Sequence, residues 1–413
     1  MSRNPGEWMS DPTAAASRAP LAGITVLDFG QVFQGPYATM LMAKAGADVV
    51  KIEPPGIGEP LRRRSIATSG TSLSIAIMNG NKRAITLNLK APRGRALLGE
   101  MVKRADVLLE NFAPGVMDKL GVGWSALHAI NPRLVYATGT GFGITGPDSD
   151  NLAMDMTIQG ASGIMSATGF PDGPPTKAGP TLVDIMGGTA LYAGVVTALY
   201  ERDRTGEGRL VEVAMQEAVW ASMASSFDYF HRLGEIPPRP GNRQSGRSSA
   251  PYNVFPAKDG HVAMQTVTEE HWRNLTRAMG HEELADDPRF ATNAARIENL
   301  EETDGVVAEW TRTLGKMEIV ALTKRHRIPC APVRNVAEVM TDPHMHERGM
   351  LEWIDHPDLG RVVVPNSPIR LHGAVRPPTR PSPALGAHNA EVYGDWLGLS
   401  EGEIAGLRED GVI

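Results

Sequence analysis

Residues 24–52 read ITVLDFGQVFQGPYATMLMAKAGADVVKI. Ile24 to Phe29 is a short β-rich run, Pro36 to Ala45 has helical composition opened by a proline, and Asp48 to Ile52 is a second apolar run. That order predicts a βαβ unit. The alternation continues through AITLNL at 84–89, a helical segment at 92–104, the apolar run Val107 to Leu109 and LVYAT at 134–138. Short apolar runs separated by helices predict a parallel sheet covered on both faces. A long helix is expected from about Ile185 to Arg204, stopped by Thr205-Gly206-Glu207-Gly208 ahead of a strand at Leu210 to Val213.

Outward from this core the composition changes. Residues 228–250 are rich in Pro, Gly, Arg and Ser, which marks a boundary. Beyond it Asn253 to Gln265 reads as a hairpin turning at Lys258-Asp259-Gly260, with helices at 271–279 and 300–314. The proline-rich last portion is expected to be irregular and to return to the larger domain. The expected division is a flexible arm at 1–20, a larger domain at 21–227, a linker and glycine loop at 228–250, a smaller domain at 251–328 and a returning segment at 329–413. The fold class is α/β.

With 413 residues and 42% hydrophobic content the chain can bury the cores of two domains. A net charge of −6 argues against nucleic acid or an anionic membrane as partner. A single cysteine, Cys330, and the lack of an eighteen-residue apolar run or leader point to the cytoplasm.

Several motifs compete for the chemistry. Gly141-Phe142-Gly143-Ile144-Thr145-Gly146 fits a dinucleotide fingerprint and supports an NAD-linked dehydrogenase, but Pro147-Asp148 follow where a helix should open, so a glycine-rich turn is the plainer reading. Glu53 reads as an exposed strand-end carboxylate. His344 and His346 read as solvated loop residues and Cys330 as an ordinary thiol, so no metal is expected. Asp184 stands after the strand-like Thr181 to Val183, before the long helix, and beside Gly187 and Gly188. It is either a helix cap or a nucleophile: a helix N-terminus keeps a carboxylate ionised, and small neighbours would let a bulky substrate come close.

The segments Leu21 to Asp28, Gly35-Pro36-Tyr37-Ala38, Gly46 to Gly56, Asn81-Lys82-Arg83, Glu110 to Gly115, Gln159 to Gly163 and Thr205 to Gly208 occur in an order that resembles the class III (CaiB/BaiF-type) coenzyme A transferases. The second-domain stretches Pro251 to Phe255 and Asp259-Gly260 extend the likeness to nearly the whole chain from Pro20. The resemblance implies a doubly wound Rossmann-like larger domain made from both chain ends, an inserted smaller α+β domain, and an interlocked homodimer. It implies CoA transfer from an acyl-CoA donor to a carboxylate acceptor through a mixed anhydride and an aspartyl-CoA thioester on Asp184, with CoA as substrate and no permanently bound cofactor. Positions matching the family's CoA-binding segments are Gln34, Leu87, Asn88, Asn111, Phe112, Ala113 and Lys119. Arg62-Arg63-Arg64 reads either as an electrostatic patch for phosphate or as a solvated basic loop. Oxyanion donors are expected from backbone amides near Asp184 or from the 239–250 loop. Phe33 stands where formyl-CoA transferases carry glutamine, which argues against a small polar acyl group. Asp155 is a candidate in the substrate pocket. The family's α-methylacyl-CoA racemases use a histidine where this chain has Met154, so racemisation lacks one of its two bases. A catalytically silent CoA-binding protein is the remaining alternative.

Overall fold

The first βαβ unit forms because its strands are buried on both faces. In the computed structural model, which describes residues 19–63, 71–246 and 248–413, β1 (Thr25–Asp28) and β2 (Asp48–Glu53) run parallel with Thr25 opposite Asp48, and α1 (Gln34–Lys44) joins them. After β2 come β3 (Arg83–Thr86), α2 (Pro92–Val102), β4 (Val107–Glu110), β5 (Val135–Thr140), α3 (Leu182–Thr205) and β6 (Leu210–Ala214). All six strands form one parallel sheet in the order β3-β2-β1-β4-β5-β6. Val26 packs with Met42, Val107, Leu191 and Val195 on one face, while Leu27 packs with Leu98, Met101 and Leu108 on the other. Adjacent residues thus serve opposite layers, as the two-residue strand period requires. The order reverses between β1 and β4, and a parallel sheet opens a crevice at the carboxyl ends of its strands there.

The described residues divide into two compact units: those within 19–158, 180–219 and 342–413 form one, and those within 159–179 and 220–341 the other. In the second, β7 (Tyr252–Ala257) and β8 (Gly260–Gln265) form an antiparallel hairpin. Helices α4 (Glu269–Met279), α5 (Leu300–Thr311) and α6 (Lys316–Arg325) follow, and β9 (Cys330–Pro332) pairs with β8. Phe255, Trp272, Leu275, Phe290 and Val307 form its core. The returning segment belongs to the first unit and carries the hairpin β10 (Leu351–His356) and β11 (Gly360–Pro365) and then α7 (Glu401–Glu409). Tyr393 Oη donates to the Thr86 carbonyl at 2.7 Å, and Val412 and Ile413 are buried in the layer beneath the sheet.

Several expectations change. The expected arm lies outside the described residues up to 18, as do Arg64 and Arg247. Residues 159–179 and 220–227 cluster with the second unit rather than the larger domain, as do 329–341. The last portion is not irregular throughout, since residues 351–365 form a regular hairpin. Thr181 to Val183 is not a strand: α3 begins at Leu182, so Asp184 lies inside its first turn. Helix α3 is long and apolar enough by composition to cross a membrane, a property the sequence reading did not credit, and it buries Val183, Leu191 and Val195 in the first unit.

Candidate active site

Two cavities flank the switch point. One, of about 400 Å³, lies at the carboxyl ends of β1, β2 and β3; its walls include Pro54, Ile57, Leu87, Leu89 and Leu120, with Asn88 and Lys90 among the polar members. The other, of about 370 Å³, lies at the ends of β1, β4 and β5 and is lined by Gln34, Asn111, Ala113, Gly141, Met154 and Asp184. Gln31 and Phe112 line both.

The loop after β1 separates the cavities, and buried charge holds it. Asp28, Lys51, Glu53, Glu59, Arg62 and Lys82 are all less than a tenth exposed. Lys82 Nζ donates to Asp28 Oδ2 at 2.8 Å, and Arg62 forks onto Glu53 at 2.7 and 2.9 Å. Lys51 donates to the Gly30 carbonyl and lies 3.7 Å from Glu59. Three anions face three cations, so the cluster is neutral. Burial pushes the Asp28 carboxyl up, but Lys82 and Lys51 outweigh it and hold its pKa below the ordinary value. The cluster fixes the loop directly: Glu59 Oε2 accepts the Val32 amide at 2.8 Å, and Val32 adopts φ 63°, strained for a β-branched residue. From the β4 side Asn111 accepts the Gln31 amide at 2.6 Å and donates to the Gln31 carbonyl at 3.0 Å. Glu110 accepts the Phe112 amide at 2.7 Å, and burial raises its pKa to about 7. Glu53 is therefore buried and paired rather than exposed, and Arg62 is a structural partner rather than part of a surface patch.

Asp184 is built differently. It is 8% exposed, in the first turn of α3, and Asp155 Oδ2 accepts the amides of Val183 at 2.9 Å and Asp184 at 3.2 Å. Asp155, from the start of a short helix (Asp155–Ala161), is thus the cap, and Asp184 is free of that task. Burial first, and the neighbouring Asp155 charge second, push the Asp184 carboxyl up to about 7. The helix terminus does not keep it strongly ionised, because its first amides are turned to Asp155. No Lys, Arg or His is among the described residues lining this cavity.

A family model for CoA-transferase family III matches residues 21–389. The chain belongs to CoA-transferase family III. It is 36% identical over 396 residues to a succinyl-CoA–D-citramalate CoA-transferase of Chloroflexus aurantiacus, covering 95% of this chain and 98% of that one. It is 38% identical to a formyl-CoA:oxalate CoA-transferase of Streptomyces avermitilis, covering 95% and 99% of the two chains. An acetyl-CoA:oxalate CoA-transferase of Acetobacter aceti is also 38% identical, over 93% of this chain and 97% of that one. A crystal structure of a CaiB/BaiF family protein from Brucella suis superposes with a TM-score of 0.82 at 32% identity, covering 92% of this chain and all of that one.

In this family III transferase the structure brings Gln34, Asn111, Phe112 and Ala113 to the Asp184 cavity, and Leu87, Asn88 and Phe112 to the other. Lys119 is exposed on a short helix (Val116–Lys119) whose Val116 lines the first cavity, but it is not itself a lining residue. Phe33 is half-buried at the N-cap of α1 and lines neither cavity; Val32 and Gln34 on either side of it do. Gly187 and Gly188 do not make room for a ligand. A Cβ at Gly188 would stand 2.5 Å from the Gln34 carbonyl, so the pair lets α3 approach α1. Gly141 to Gly146 forms a turn after β5 with Gly143 and Gly146 at positive φ and no helix following, which fits the plain reading. His344 and His346 lie on a short helix (Pro343–Glu347) rather than a loop, His346 stacks on Trp353, and no metal-binding cluster occurs among the described residues. Sequence reasoning missed Lys90 in the first cavity and Gln31, Val32 and Met215 in the second. Lys90 follows a strand-end Asn-Leu, a pattern that carries no ligand signal until the crevice is formed.

Proposed function

We propose that this enzyme carries CoA from an acyl-CoA to an acceptor carboxylate through covalent intermediates on Asp184. The observation that carries the reading is a carboxylate set at the carboxyl end of the sheet's switch point, buried, with no cation among the described lining residues and shifted to about 7. A carboxylate with a raised pKa is a stronger nucleophile once ionised, and near neutral pH a large fraction is ionised. Its oxygen attacks the thioester carbon of the donor, the C–S bond breaks, and CoA leaves as the thiolate from a mixed anhydride. The thiolate attacks the Asp184 acyl carbon, releasing the donor carboxylate and leaving an aspartyl-CoA thioester. The acceptor carboxylate then runs the same two steps in reverse.

The two cavities give CoA a path: its nucleotide would lie over Leu87, Asn88 and Lys90 and its thioester would pass Gln31 and Phe112 to reach Asp184. The apolar walls of the first cavity suit a purine ring, and Lys90, with Lys119 on the short helix whose Val116 lines the cavity, suits phosphate. Met154 lines the Asp184 cavity, and a thioether neither gives nor takes a proton, which weighs against the racemase reading. The named relatives differ in donor and in acceptor, so the acyl groups are left to experiment. The interlocked homodimer is part of this proposal; exposed Trp220, Phe230, Leu233 and Ile236 in the second unit give it apolar surface to cover.

Incubation with succinyl-CoA followed by peptide mass spectrometry is the direct test. CoA mass on the peptide containing Asp184, discharged by an acceptor carboxylate, is the expected result. Deuterium exchange with inversion at the α-carbon of a 2-methylacyl-CoA, without that adduct, would replace the reading with racemisation.

A further inference from the structure

Every covalent step on Asp184 passes through an oxyanion, and the donors that α3 itself offers are already used. The Val183 and Asp184 amides go to Asp155, and the Ile185 amide goes to the Thr181 carbonyl at 3.3 Å. A buried side-chain donor without a partner lines the same cavity. Gln34 is 1% exposed and lines the cavity with Asp184, yet its side-chain Nε2 has no hydrogen-bond partner. Its position follows from three glycines. A Cβ at Gly139 would lie 2.8 Å from Gln34 Oε1, one at Gly187 would lie 3.0 Å from Nε2, and one at Gly188 would meet the Gln34 carbonyl. Gly187 stands three residues after Asp184, and residues at that spacing share one face of a helix about one turn apart. The amide nitrogen therefore lies against the stripe of α3 that presents Asp184.

A buried donor without a partner is costly, and it persists where a ligand or intermediate supplies the acceptor. We propose that Gln34 Nε2 donates a hydrogen bond to the oxygen on the Asp184 acyl carbon as the tetrahedral intermediates form, making Gln34 a catalytic residue. The inference rests on the transferase reading and deepens it. When the CoA thiolate adds to the acyl carbon of the anhydride, the carbonyl electron pair moves onto that oxygen. Gln34 stabilises the negative charge until the pair returns and the donor carboxylate leaves. No net proton is exchanged. The donor is set in advance by packing, which is the condition under which such a hydrogen bond favours the transition state over the ground state.

The test uses Gln34→Met, which keeps an unbranched chain in the glycine-lined slot but has no donor, and Gln34→Glu, which is isosteric and replaces the donor with an acceptor. Turnover with succinyl-CoA and the single-turnover rate of CoA attachment to Asp184 are read together with Kd for free CoA and Tm. The expected result is a loss of about 10²-fold in kcat and in the attachment rate for both variants, with Kd and Tm close to wild type. Attachment within threefold of wild type in either folded variant overturns the inference, as does a loss that merely follows a lowered Tm. Wild-type enzyme that never carries CoA on Asp184 overturns the transferase chemistry itself and this role with it.

Discussion

Six charged side chains beneath the loop after β1 and two carboxylates at the start of α3 are all less than a tenth exposed, but they meet burial in opposite ways. Beneath the loop each anion has a cation, and the Asp28 pKa is lowered. At α3 two carboxylates share one helix end, no Lys, Arg or His is among the described residues lining the Asp184 cavity, and Asp184 is raised to about 7. Neutralised charge holds backbone in place. A carboxylate left without a counter-ion keeps reactivity that pairing would have quenched, which is the pattern expected of a catalytic group.

The contrast breaks most sharply at Asp184. Asp184→Ala is expected to lower transfer by at least about 10⁴-fold while the protein stays folded and binds CoA, because the covalent path is gone and the cap on α3 belongs to Asp155. Steady-state assay, circular dichroism and CoA binding check this together. Retained turnover with a lowered Tm would make Asp184 a structural residue.

On the paired side, Lys51→Met leaves Asp28 and Glu59 short of one cation and frees the Gly30 carbonyl. A loss of about 3–5 kcal/mol in urea unfolding is expected. A change below about 1 kcal/mol would mean that the cluster is solvated and does not hold the loop.

A pH series sharpens the same comparison. Activity needs ionised Asp184, so kcat/KM should rise with pH and level off above about 7. Asp155→Asn removes the like charge and should move the inflection to lower pH. Stability carries the opposite sign. The folded pKa lies above the ordinary value of 3.8, so the contribution of Asp184 to stability is full below 3.8 and is lost as pH rises through about 7. Asp184→Asn should therefore gain a few degrees of Tm over wild type, the gain growing up to about pH 7 and constant above it. A pH-independent difference would show that Asp184 ionises freely in the fold.

The smallest effect is expected at Lys119. It is exposed and off the cavity wall, so Lys119→Ala should raise KM for CoA esters by no more than about threefold, fading with added salt, while Lys90→Ala raises it further. KM values unchanged from wild type in both variants would remove both lysines from the nucleotide path.

The sheet was legible in the sequence because burial on both faces forces uninterrupted apolar runs: five of its six strands lie within two residues of the expected bounds, and the run expected at 84–89 overshoots the strand end at Thr86 by three. Asp184 was singled out by its place ahead of a helix and by the family resemblance, but the segment before it was misread: Thr181 to Val183 looked like a strand, whereas the helix already begins at Leu182, its first amides accepted by Asp155 from 29 residues away. Glu53 looked exposed because nothing local marks Arg62, nine residues on, as its buried partner. The glycine pair at 187–188 looked like room for a ligand, and proved to be room for α1. Sequence alone determined the layers and the family, because these follow from periodicity and motif order. Only the tertiary structure decided which carboxylates are neutralised and which amide is left without a partner. Burial and pairing are properties of distances between elements, which chain order does not encode.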